Sequence, residues 1–71
     1  MSIKKIKDVV FSNLGKTIGF KVNGSRNQIE EFDGKIVNVY PALFTVKSLN
    51  NGMIRSFSYV DILTGDLELI F

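Results

Sequence analysis

Apolar residues near the start of the chain recur at the spacing of a helix. Four aliphatic residues make this pattern: Ile3, Ile6, Val10 and Leu14. On a helix they fall within an arc of roughly 80°, which predicts one amphipathic helix over residues 3–14. Ser2 is in position to cap the start of this helix, and Gly15 to end it in a left-handed conformation.

From residue 16 onward the apolar positions alternate with a period of two, which is typical of half-buried strands. The alternation predicts five strands, at about residues 16–22, 29–40, 43–49, 53–59 and 66–71. Gly19 indicates a bulge or a close backbone approach in the first strand. Asp33-Gly34 indicates a kink or bulge in the second strand, because the apolar residues on either side of it keep the same phase.

Three segments between the predicted strands carry turn or helix signals. Pro41 has no amide hydrogen, so we expect it to end the second strand and change the direction of the chain. Asn50-Asn51-Gly52 is typical of a hairpin loop with a glycine at positive φ. Residues 58–65 begin with a capping-type serine and end with a glycine, which predicts a single helical turn before the last strand.

Together these elements predict a mainly β fold. It is a small, five-stranded, strongly bent antiparallel barrel of the SH3-like (Sm-like) kind, with an N-terminal α-helix and a short helical turn before the last strand. A chain of 71 residues is long enough for one core, so we expect a single domain over residues 1–71. Closing the sheet into a barrel reduces the exposed strand edges.

The composition removes most enzyme chemistry. The chain has no Cys and no His, which excludes a disulfide framework, a thiolate or imidazole metal site, a histidine-based triad and a cysteine nucleophile. Glu30 and Glu31 are adjacent, but neighbours on a strand point to opposite faces and cannot converge on one substrate atom. We therefore expect no catalysis, no metal and no cofactor.

The cations are concentrated in the first part of the chain. Residues 1–28 hold six cations and one acid, a net charge of +5, whereas residues 29–71 have a net charge of −3. The six cations are the candidate partner-binding residues: Lys4, Lys5, Lys7, Lys16, Lys21 and Arg26. Three of them oppose the helix macrodipole at the start of the predicted helix, which leaves two interpretations, a frayed solvated terminus or a binding role.

Nucleic-acid binding would also require exposed aromatic side chains. Four of the eight aromatic residues lie at positions with core phase, namely Phe20, Phe32, Phe44 and Phe57. Tyr40 and Tyr59 lie at strand ends, where we expect them to seal the barrel and to tether a hydroxyl group to the backbone. No apolar run is long enough to cross a bilayer, so we expect a cytoplasmic protein without membrane contact.

Several segments in combination resemble the Veg family, small proteins of Gram-positive and related bacteria known as biofilm formation stimulators. The segments are Asn13-Leu14-Gly15-Lys16, Asn23-Gly24-Ser25-Arg26, Gly34-Lys35-Ile36, Tyr40-Pro41-Ala42-Leu43-Phe44-Thr45-Val46 and the stretch 56–69. The resemblance implies an SH3-like barrel without catalytic activity that controls matrix gene expression by contacting a transcriptional regulator. Ser25 departs from the family pattern, which has a second glycine there and more basic residues after it.

Two functional hypotheses follow. The first is a regulatory protein-interaction module, which could also self-associate through a strand or helix edge. The alternative is an Sm-like or SH3-like barrel that binds nucleic acid through the basic N-terminal surface. Gly34 and Ile36 fit the start of an Sm motif, but Tyr40 and Leu43-Phe44 replace the residues expected for base binding.

Overall fold

The structure, a computed structural model, describes residues 2–24 and 28–71. Seven elements follow one another: α1 (Ile3–Ser12), β1 (Thr17–Asn23), β2 (Ile29–Val39), β3 (Leu43–Ser48), β4 (Ile54–Ser58), α2 (Tyr59–Thr64) and β5 (Leu67–Ile70). The five strands form one antiparallel sheet in the order β4-β3-β2-β1-β5. This architecture confirms the predicted fold class, with its N-terminal helix and the short helix before the last strand.

The first helix is capped as predicted but ends earlier. Ser2 Oγ accepts a hydrogen bond from the Lys5 backbone N–H at 3.3 Å. The helix stops at Ser12 instead of residue 14, because the side-chain amide of Asn13 donates to the Val9 carbonyl at 2.8 Å. Gly15 is left-handed, with φ +82°, but it lies in the connection to β1.

The short helix α2 follows β4 directly and joins the two edge strands. Ser58 and Asp61 form a reciprocal capping box at its start, and Gly65 ends it with φ +85°. The predicted helical turn is therefore confirmed, with both of its end signals. Gly52, in the β3–β4 loop, also has the predicted positive φ, +71°.

The irregularity in β2 lies further along the strand than the sequence predicted. Pairing around Gly34 is regular on both sides, and the register with β3 shifts between Ile36 and Asn38. Gly34 is required for another reason, since a Cβ atom there would collide with Cγ1 of Val46. Gly19 marks the close approach that was expected, because a Cβ there would lie 3.1 Å from the Ile70 Cβ.

The strand ends differ from the predicted ones by single residues. The first strand begins and ends one residue later than predicted, and each of the other four is one residue shorter at one or both ends. Turn hydrogen bonds account for two of these ends. The Tyr40 backbone N–H donates to the Leu43 carbonyl at 2.8 Å across the Pro41 turn, and the Ser48 N–H donates to the Met53 carbonyl at 2.9 Å.

The core is a series of aromatic rings between the sheet and α1. Phe20, Phe32 and Phe57 stack on one another with ring centroids 5.3 to 6.4 Å apart. Phe44 and Tyr59 extend the series, and all four core-phase phenylalanines are buried as predicted. Helix α1 covers this core with two buried aliphatic side chains, Ile6 and Val10.

Candidate functional site

The structure places the predicted basic residues in several parts of the fold. Lys4 and Lys5 are exposed on the first turns of α1, and Lys7 is half-buried on the same helix. Lys16 is exposed in the connection between α1 and β1. Arg26 lies outside the described residues.

Lys21 lies apart from the α1 lysines. Phe20, its neighbour on β1, is buried, so Lys21 projects from the opposite face of the sheet, whereas α1 packs against the core side. Its Nζ pairs with Oε2 of Glu68 at 3.6 Å on β5. The five candidate residues that the structure describes are therefore spread over α1, the α1–β1 connection and the outer sheet face, and the role of all six in binding stays a prediction.

Tyr59 links α1 to the β2–β3 turn. Its ring is 2% exposed, and its hydroxyl donates to the Tyr40 carbonyl at 2.7 Å, as expected for a tyrosine at a strand end. Burial raises the pKa of the Tyr59 hydroxyl above its usual value of 10.0. The Nζ of Lys7 lies 5.4 Å from the centroid of the same ring, which is within cation–π distance.

Arg55 is a cation that stabilises the sheet through contacts with aromatic rings and an acidic side chain. Its guanidinium lies 4.9 and 5.2 Å from the ring centroids of Phe32 and Phe57, and its Nη1 donates to Glu30 Oε1 at 2.9 Å. The alternation along β4 places Arg55 on the same face as Phe57, which explains how it covers the aromatic core. These contacts stabilise the fold and leave the guanidinium of Arg55 engaged within the sheet.

Phe11 is an exposed aromatic residue that the sequence analysis overlooked. It lies on α1 with 65% of its surface exposed. A signal for it exists in the sequence, because Phe11 is outside the apolar phase of the helix and follows Lys7 by four residues and Lys4 by seven. Those spacings place the phenyl ring on the same side of the helix as the two amines.

An apolar groove lies between α1, α2 and β5. Its volume is about 320 Å³, and seven residues line it: Ile6, Val9, Ile62, Leu67, Glu68, Leu69 and Phe71. Glu68 is the one charged member of this lining. The pattern of any single element does not predict the groove, because the three elements that form it meet only in the folded chain.

Over residues 2–24 and 28–71, no group of three or more acidic side chains is placed to hold a metal ion. None of the described helices is sufficiently long and apolar to cross a membrane. The described surfaces offer apolar, aromatic and basic contacts.

The fold and these surfaces define a small antiparallel β-sheet domain with a groove and an aromatic, basic helix available for contacts. The chain belongs to the Veg family, since residues 1–70 match the family model described as biofilm formation stimulator VEG. The comparison with curated proteins gave no match. The predicted family resemblance is confirmed, and the family description indicates a regulatory role rather than an enzymatic one.

Proposed function

We propose that this protein acts in the cytoplasm, where it contacts a transcriptional regulator through the groove between α1, α2 and β5 and thereby stimulates biofilm formation. The family match supports the biofilm role. The groove is the observation that supports contact with a protein, because it is a concave apolar surface of the kind that receives a partner's side chains.

The rim of the groove has apolar side chains that a partner would remove from water. Phe71 is 76% exposed and Val9 is 36% exposed, while Ile6 and Leu67 are buried beneath them. Burying such surface contributes about 25 cal/mol for each Å² of apolar area. The partner should therefore offer at least one aliphatic or aromatic side chain to this rim.

The negative charge of the residues around the groove predicts a second property of the partner. Residues 59–71 contain three acids, Asp61, Asp66 and Glu68, and no Lys or Arg. Glu68 borders the groove, but its carboxylate projects from the outer face of the sheet, where Oε2 contacts Lys21 and Asn23 at 3.6 and 3.2 Å. A partner segment with a basic residue next to its apolar side chain would suit this surface, because the net negative charge of residues 59–71 around the groove would attract the cation.

A matched set of exposed residues tests the proposal. Val9→Glu and Phe71→Glu place a charge on the rim of the groove, and Leu49→Glu makes the same change at an exposed position after β3, outside the groove lining. Each variant would replace the native chain in its host. We expect the two rim variants, but not Leu49→Glu, to lower biofilm mass and a matrix-gene reporter and to lose cross-linking to the regulator.

Folding and self-association are controlled separately. Circular dichroism and thermal unfolding check that all three variants keep the fold. If the rim variants behave like Leu49→Glu in the biofilm and cross-linking assays, the groove is not the contact site. If the wild type is a dimer by light scattering and the rim variants are monomers, the groove binds a second copy and the proposed regulator contact is wrong.

A further inference from the structure

We propose that helix α1 and the adjacent β2–β3 turn form a binding site for single-stranded nucleic acid. The residues that would carry it are Lys4, Lys7, Phe11 and Tyr40. This inference does not rest on the proposed function, because it uses a different surface and a different kind of partner.

Three of these residues form one stripe on α1. Positions 4, 7 and 11 fall within an arc of about 60° on a helix, so their side chains share a face. Lys4 is exposed and Phe11 is 65% exposed. The stripe thus combines ammonium groups with a phenyl ring whose surface faces solvent, which is the composition of surfaces that track a phosphate backbone and stack bases.

Contacts with Tyr59 hold the stripe near a second exposed aromatic residue. The Nζ of Lys7 lies 5.4 Å from the Tyr59 ring centroid, and the Tyr59 hydroxyl donates to the Tyr40 carbonyl at 2.7 Å. Tyr40 itself is 48% exposed. The buried Tyr59 ring therefore brings the amine of Lys7 and the Tyr40 turn to the same side of the molecule.

Lys4 and Lys5 on α1 are placed where the fold does not stabilise their charges. The first turn of α1 has no acidic residue, and cations there oppose the helix macrodipole. The ion pairs found within the described ranges are Lys21–Glu68 and Arg55–Glu30, and neither involves α1. A bound polyanion would supply the ion-pair partners that the described residues do not provide for these amines.

The aromatic residues favour a single strand over other anionic partners. A base in a single strand can lie flat on a phenyl or phenol ring, whereas the bases of a duplex are already stacked on one another. An acidic peptide would use the lysines without needing exposed rings. Asp8 lies about 40° from Lys4 around the helix and would repel any polyanion, so its removal should strengthen binding.

Fluorescence anisotropy of the full chain with labelled oligouridylate and oligothymidylate of about ten nucleotides tests this site. We expect binding that weakens between about 50 and 200 mM salt. Phe11→Ala should weaken it about tenfold, since one stacked base is lost. Lys4→Glu should weaken binding and lower the salt dependence, whereas Asp8→Asn should strengthen binding.

Matched controls lie elsewhere on the surface. Phe71→Ala removes another exposed phenyl ring and Lys47→Glu reverses another exposed lysine, and both should leave the affinity within about twofold of the wild type. Absence of salt-dependent binding overturns the proposal, and so does an equal loss in the control variants. Equal or stronger binding to a duplex, to phosphatidylglycerol vesicles or to polyglutamate also overturns it, since each identifies a different partner.

Discussion

The sheet and helix α1 use the same residue types in opposite ways. In the sheet, Lys21 and Arg55 pair with acids, and the phenylalanines are buried in the aromatic core. In α1, Lys4 has no acidic partner within 4.0 Å among the described residues, and Phe11 is 65% exposed. The difference indicates that the charges and rings of the sheet stabilise the fold, whereas Lys4 and Phe11 on α1 contribute little stability and remain accessible to a ligand.

The largest expected effect is on the free energy of unfolding, in a comparison of a buried phenylalanine with an exposed one. Phe20 is fully buried and stacks on Phe32 and Phe57, so Phe20→Ala should lower the free energy of unfolding by about 3–5 kcal/mol. A domain of this size rarely has more stability than that, and the variant should be largely unfolded. Phe11→Ala should change the free energy of unfolding by less than about 0.5 kcal/mol. Chemical denaturation followed by circular dichroism measures both.

If Phe20→Ala does not accumulate as folded protein, a milder replacement keeps the comparison of Phe20 with Phe11 measurable. Phe20→Leu retains most of the volume and should cost roughly 1 kcal/mol. If Phe11→Ala destabilises the chain as much as Phe20→Leu does, the proposed division between the sheet and α1 is wrong.

The next comparison is between two cations, whose removal should change the free energy of unfolding in opposite directions. Arg55→Ala removes the contacts with two rings and the ion pair with Glu30, and should lower the free energy of unfolding by about 1 kcal/mol. Lys5→Ala removes a cation from the start of α1 and introduces the best helix former, so it should raise the free energy of unfolding by a few tenths of a kcal/mol. Urea titrations of both variants beside the wild type test the two signs. A loss of stability in Lys5→Ala would show that this lysine also supports the fold.

The smallest effect concerns Tyr59, where the two regions meet. Because burial raises its pKa in the folded chain, the unfolded chain loses the Tyr59 proton first as the pH rises. This contribution to stability is complete below about pH 10 and is lost above it. Urea unfolding between about pH 9 and 11 should therefore show a steeper decline for the wild type than for Tyr59→Phe, which has no proton to lose there. Parallel declines would contradict this assignment.

Much of the fold could be predicted from local patterns. The alternation of apolar residues located all five strands to within single residues, and the core phase identified Phe20, Phe32, Phe44 and Phe57 correctly. Ser58 and Gly65 identified α2 because capping depends on residues a few positions apart. The bulge in β2 was misplaced, since it depends on the pairing with β3, and Gly34 is a glycine because Val46 approaches it from that strand.

The candidate sites also depend partly on the sequence alone and partly on the tertiary structure. The sequence by itself determined the family, the absence of cysteine and histidine chemistry, and the concentration of cations in the first part of the chain, because these are properties of residue identity and order. Only the tertiary structure decided that Lys21 is paired across the sheet, that Lys7 lies over Tyr59, and that three elements enclose an apolar groove. The physical reason is that pairing, stacking and concavity are relations between residues distant in the chain, and the packed fold sets those distances.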